Sequence, residues 1–333
     1  MTPTPAHHHP FSIHRIAILL LCIGLFSLLA FGPPPVAAQP ETTVPTRLIL
    51  DNGVIELHLD TANFGGAITF LGPSGENRNL INNHDHGRQI QQSYYAGTDL
   101  DRSSEGQHPA WSPWPWNPTQ AGDAFGNPSV VLEARAEEHQ AYVKTVPNMW
   151  DMPGELCQCT METWVELDGN VAQIRNRLAI NADADAWQPA PRHQEMPAIY
   201  TVSSLSRILT YIGDEPWTNA PLTRITRKPM PGREDFPWNY WPSQEYPGQA
   251  TEHWAAAVDE TGYGLGVFMP ETELFIGGQL GRPTDDEFAF PTTYIAPLRT
   301  LFLRPGGEVE FAYELILGYL HTIRAHAVPP PTQ

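Results

Sequence analysis

CTMETWVELDGNVAQIRNRLAI, residues 159–180, decides the fold class. Met161, Val165 and Leu167 lie on one side of an alternating run, and Ala172, Ile174, Leu178 and Ile180 continue the pattern after a break. The break is Asp168-Gly169, a dipeptide that favours positive φ and closes tight hairpins. Two period-two runs joined in this way predict an antiparallel pair with one buried face. VIELHLD (54–60) and VEFAYELIL (309–317) alternate in the same manner, the latter with Phe311, Tyr313 and Leu315 on one face. With 34 prolines and 26 glycines spread along 333 residues, little helix is expected. A sheet of this size must bury a face or close on itself. The expected fold is therefore all-β, a large antiparallel β-sandwich forming a single domain over 46–325. Long Trp/Pro-rich loops are expected at 96–128, 213–250 and 281–299.

The N-terminus sets the compartment. IAILLLCIGLFSLLAF (16–31) is an apolar run ended by GPPP, and Val36 and Ala38 fit a secretory cleavage pattern. Residues 1–38 are predicted to be a signal peptide cleaved after Ala38, followed by a linker over 39–45. The protein is then exported, meeting a membrane only if the segment stays uncleaved. Residues 326–333 are expected to be a disordered tail. The formal charge of −18 disfavours nucleic acid and anionic membranes as partners. Cys157 and Cys159 are expected to be small buried thiols, because spacing by one residue suits a disulfide poorly in a flat strand.

Two loops carry aromatic residues. HPAWSPWPWNPTQAGDAFGN (108–127) holds Trp111, Trp114, Trp116, Asn117 and Asp123, and DFPWNYWPSQEY (235–246) holds Phe236, Trp238, Tyr240, Trp241 and Tyr246. Indole faces bordered by amides and carboxylates suit sugars, although the same rings also serve as loop anchors. Three polar clusters are placed to line such a groove. NNHDHGRQIQQSYY (82–95) offers Arg88, Gln89, Tyr94 and Tyr95, and its His84-x-His86 lacks the acidic ligand a metal site would add, so no metal or cofactor is expected. PRHQEMPAIY (191–200) packs Arg192, His193 and Glu195 ahead of Tyr200, and Glu252, His253 and Trp254 precede another apolar strand. Convergent carboxylate and imidazole groups would supply an acid and a base at neutral pH.

LDNGVIELHLDTANFGGAITFLGPSGENRNLINN (50–83) and LRPGGEVEFAYELILG (303–318) resemble the galactose-mutarotase-like superfamily of carbohydrate-active β-supersandwiches. The resemblance implies a supersandwich fold and a carbohydrate ligand, with a His acid and a Glu base in its epimerases and mutarotases. The surroundings of His193 and Glu195 do not follow the mutarotase pattern His-x-Tyr-Phe-Asn. The expected function is a secreted carbohydrate-active enzyme, of glycoside hydrolase, lyase or epimerase type, acting on a poly- or oligosaccharide, with a glycosidase or polysaccharide lyase expected ahead of a simple aldose mutarotase. Glu195, His193 and Glu252 are the expected catalytic groups. Arg88, Gln89, Tyr94, Tyr95, Trp116, Asn117, Asp123, Arg192, Tyr200, His253 and Trp254 are the expected binders, with a tyrosine as base if the substrate is a uronate. The alternative is a non-catalytic carbohydrate-binding module or an envelope structural protein.

Overall fold

Residues 159–180 form a hairpin. Strands Cys159–Asp168 and Val171–Ile180 pair from Cys159 opposite Ile180 to Asp168 opposite Val171. The two-residue loop is thus Gly169-Asn170, one position later than the dipeptide implied. Gly169 has φ +56° whereas Asn170 keeps a negative φ, the pattern of a type II′ turn. The computed structural model containing this hairpin describes residues 44–188, 190–226, 238–272 and 274–328. The leader, Phe236, and most of the linker and tail lie outside the described residues.

Two large antiparallel sheets are built around that hairpin. The first runs Arg47–Asp51, Ile55–Asp60, Ala67–Pro73, Ile90–Ser93, Arg192–Val202, Thr292–Leu301, Leu274–Leu280 and Asn239–Trp241, in that spatial order. The second runs Thr223–Ile225, Arg207–Thr210, Trp254–Val258, Tyr263–Phe268, Glu308–Tyr319, the hairpin strands in reverse, Gln140–Val146 and Val130–Glu137. Their facing sides share one apolar core, in which Leu57, Leu59, Met196 and Ile199 of the first sheet join Ile174, Leu265, Tyr313 and Leu315 of the second. Ala96–Leu100 and Trp114–Trp116 form a separate two-stranded ribbon. The helix Leu320–His326 covers part of the outer face of the second sheet, where Ile323 packs with Trp254, Ala256 and Ile316.

Two expectations are corrected. The segment 281–299, read as loop, contains most of Thr292–Leu301, a strand paired on both edges. Its first seven residues are all buried, so the period-two signal is absent. Cys157 and Cys159 form a disulfide rather than standing as thiols. The chain bends at Gln158 before the strand begins, bringing the two Cα atoms to 5.1 Å, within bonding range.

Candidate functional site

The strand Arg192–Val202 carries the candidate centre because its regular alternation is interrupted. Glu195 lies opposite Leu298, yet Ile199 already lies opposite Ile295, so one residue is extra. Pro197 and Pro297 both fall in this gap, where a missing N–H breaks no ladder bond between these two strands. The bulge keeps Met196 and Ile199 in the core and leaves Glu195, Ala198 and Tyr200 on the outer face of the first sheet. There a second apolar cluster forms from Ala198, Ile276, Tyr294 and Ala296, with Tyr200, Trp238 and Tyr240 packed against it.

Glu195 sits within this aromatic wall. Tyr95 Oη donates to its Oε2 at 3.3 Å, and Tyr294 Oη donates to Oε1. Burial pushes the Glu195 carboxyl above its ordinary value, and the hydroxyls of Tyr294, Tyr95 and Ser93 offset only part of that rise. The same burial, with the negative charge of Glu195, raises the hydroxyls of Tyr95, Tyr200 and Tyr294. These tyrosines are therefore donors at neutral pH, not bases. Tyr200 stacks on Tyr294 at 4.4 Å, and Trp238 stands 5.0 Å from Tyr294.

Arg88 closes one side. Its guanidinium lies 5.3 Å from the Tyr200 ring centre and 5.5 Å from that of Phe290. Its Nε is 3.7 Å from Asp85, while Nη1 is buried with no hydrogen-bond partner. A buried unpaired guanidinium N–H is costly unless a ligand or water accepts it. His193, two residues before Glu195, is exposed, with Nδ1 3.1 Å from Thr300 Oγ1 and its ring 6.0 Å from Tyr240. Glu195, Tyr95, Tyr200, Arg88 and His193 thus share one outer sheet face.

The other expected site residues lie elsewhere. Glu252, 1% exposed, belongs to the second sheet's surroundings. Arg324 donates to both its oxygens at 2.8 and 3.1 Å, and Trp254 Nε1 and Trp217 N donate at 2.8 and 2.9 Å. Burial raises this carboxyl, but the hydrogen bonds from Arg324, Trp254 and Trp217 outweigh it and hold it below its usual range. It is a structural ion pair that anchors the C-terminal helix, and Trp254 is buried with it. His253 Nδ1 contacts the carbonyl of Thr272. Tyr94 is a core residue whose hydroxyl donates to Gln92. Gln89 is sealed in a turn, with Nε2 on the Asp85 carbonyl. Asp123 accepts from Phe125 and Asn127 within its own loop and from Gly154 N of a neighbouring one. Asn117 holds Trp114 Nε1 at 3.0 Å and the Tyr94 carbonyl at 2.8 Å. Arg192 turns to Gly97 and Asp99. Trp116 stacks on Trp187 at 4.6 Å, away from Glu195 in a separate cleft. Of the remaining aromatic residues, Trp241 and Tyr246 are buried in the core.

Tyr294 was missed by the sequence reading. It lies in the strand whose alternation is masked, and the signal available was an isolated aromatic residue before an Ala-Pro pair.

No protein-family model matches the chain, and no curated protein matches it. Solved structures similar to it include a galactose mutarotase-like protein from Lactobacillus casei, 12% identical, with 81% of this chain and 99% of that one covered and a TM-score of 0.47. A galactose mutarotase related enzyme from Lactobacillus acidophilus is 8% identical over 81% and 97%, with a TM-score of 0.44. A protein from Synechocystis sp. PCC 6803 is 12% identical over 83% and 97%, with a TM-score of 0.48. No residue role or activity is carried across from likeness at this level.

Proposed function

We propose that the protein is a secreted carbohydrate-active enzyme whose acid–base group is Glu195. The observation that supports this reading most directly is the Glu195 carboxyl itself, raised by burial and held by two tyrosine hydroxyls on a half-open aromatic face. A carboxyl raised toward neutral pH exchanges protons more readily than an ordinary surface glutamate. Aromatic faces such as Tyr200 and Trp238 offer stacking surfaces to sugar rings, and the unpaired Arg88 N–H seeks a hydroxyl or carboxylate oxygen. Export is supported by the apolar leader and by the Cys157–Cys159 disulfide, which suits an oxidising compartment.

The chemistry favoured is proton transfer of the epimerase or mutarotase kind. Hydrolysis by paired carboxylates needs a second carboxyl about 5–9.5 Å away. The groups acting on Glu195 are tyrosine and serine hydroxyls, while Asp85 is paired with Arg88 at 3.7 Å and Glu252 is tied to Arg324. A lyase using tyrosinate is disfavoured because burial raises the tyrosines. Glu195 as carboxylate would take a hydroxyl proton from the sugar. His193, roughly 7 Å along the same strand face, would return one to the ring oxygen.

The test is an activity screen on aldoses and oligosaccharides. Anomer or epimer exchange would be followed by NMR, new reducing ends by colorimetry, and unsaturated products by ultraviolet absorbance. Exchange that falls roughly 100- to 10,000-fold in Glu195→Gln supports the proposal. Saccharide binding without turnover would favour a binding module, and reducing ends appearing instead would point to hydrolysis.

A further inference from the structure

A cleft of about 470 Å³ beside His58 and one of about 430 Å³ beside the disulfide lie outside the Glu195 centre. The second carries the fuller set of observations. Trp114, Trp116 and Trp187 line it, with the Cys157 half of the disulfide and Met149. The Trp116 and Trp187 rings are stacked with an interplanar angle of 26°, while Trp187 Nε1 is held by the Leu303 carbonyl at 3.1 Å. Gln158, between the two cysteines, fixes the loop that bears Trp187, since its Oε1 accepts from Asp185 N at 2.8 Å and its carbonyl from Asn181 N at 3.0 Å. The aromatic wall is therefore built on a covalently closed turn.

The charges of this cleft are unequal. Arg102 is its one cationic side chain, already bidentate on Glu155 at 3.0 and 2.6 Å and bonded to Glu105 at 3.1 Å. Asp151 and Asp185 add two further carboxyl groups. Asp151 is 2% exposed; its Oδ2 accepts from Gln107 Nε2 at 2.7 Å, and its Oδ1 is buried with no partner. Burial holds this carboxyl above its ordinary value, as expected for a group missing a donor.

We propose that this cleft is a second saccharide site, selective for chains of amino sugars, with indole faces taking the rings and Asp151 Oδ1 accepting from a protonated amine. Stacking over the indoles also favours a cation. An anionic sugar would meet four uncompensated or over-shared carboxyl groups. Trp114 lines the cleft and also stands edge-on to Tyr95 at 6.2 Å, so one chain can reach from here towards Glu195. This inference rests on the carbohydrate reading and specifies its substrate class.

The experiment is isothermal titration of the full chain with a glucosamine tetramer, its fully N-acetylated counterpart and tetragalacturonate. The glucosamine tetramer should bind most tightly and tetragalacturonate most weakly. Asp151→Asn and Trp116→Ala should each weaken the glucosamine tetramer roughly tenfold or more, equivalent to about 1.4 kcal/mol. Should Asp151→Asn fail to fold, Trp187→Phe and the preference order in the unaltered protein carry the same test. Equal or tighter binding of the neutral or the acidic tetramer overturns the proposal, as does unchanged affinity in folded Asp151→Asn. Binding with no turnover of any saccharide would remove only the enzymatic reading, and turnover without tetramer binding only this one.

Discussion

Glu252 is buried and Glu195 half-buried, and their partners drive the two carboxyl groups in opposite directions. Glu195 meets neutral hydroxyls, so burial prevails and its pKa rises above 4.5. Between that value and the raised one, the native state keeps a proton that the unfolded chain has released. Stability therefore falls as pH rises through the window. In Glu195→Gln this slope is absent, and denaturant unfolding across a pH series should show the stability difference between the two proteins changing there and flat above it. A flat difference throughout would mean that the carboxyl is not raised. Turnover should increase through the same window as Glu195 becomes a base. Glu252 is lowered by Arg324, Trp254 and Trp217, so its contribution is present above the usual glutamate value and lost as pH falls through its depressed one. Glu252→Gln leaves Arg324 without its charge partner and should cost about 3–5 kcal/mol. A loss below about 1 kcal/mol would contradict a buried pair.

At the level of elements, what the sequence made legible follows from which faces are wet. The 159–180 hairpin and the Glu308–Tyr319 strand alternate because one side meets solvent, so both could be read directly. Thr292–Leu301 is covered on both sides, and Tyr294, the residue in it that partners Glu195, was lost with it. The cluster at 191–200 was visible as ionisable residues ahead of an apolar strand, but the bulge that turns Glu195 outward depends on the register with Leu298 and Ile295. Glu252 had the same local appearance and a different fate, because Arg324 reaches it only once the C-terminal helix has docked. That docking needs Gly266: an added Cβ would lie 2.2 Å from Ile323 Cγ2. Gly266→Ala should destabilise by about 1–3 kcal/mol, seen as a lower Tm, and Ile323→Ala in the same chain should recover part of the loss. Additive losses would show that helix and strand do not press together there.

For the whole molecule, the excess of acidic groups acts before any contact is made. A formal charge of −18 surrounds both candidate sites with a field that repels anions and gathers cations. Raising ionic strength from 0.01 to 0.15 M shortens the screening length from about 30 Å to about 8 Å, enough to remove most of this long-range contribution while leaving close contacts in place. Three substrates of equal length then separate by charge. Association with an oligogalacturonate should strengthen as salt is added, a neutral oligosaccharide should be nearly indifferent, and a glucosamine oligomer should weaken. Stopped-flow fluorescence from the tryptophans would follow the association rates, where steering is expressed more strongly than in dissociation. If uronate association instead weakened with salt, a local cluster such as Arg88 would have to dominate over the global field, and a uronate substrate would return to consideration despite the acidity of the chain.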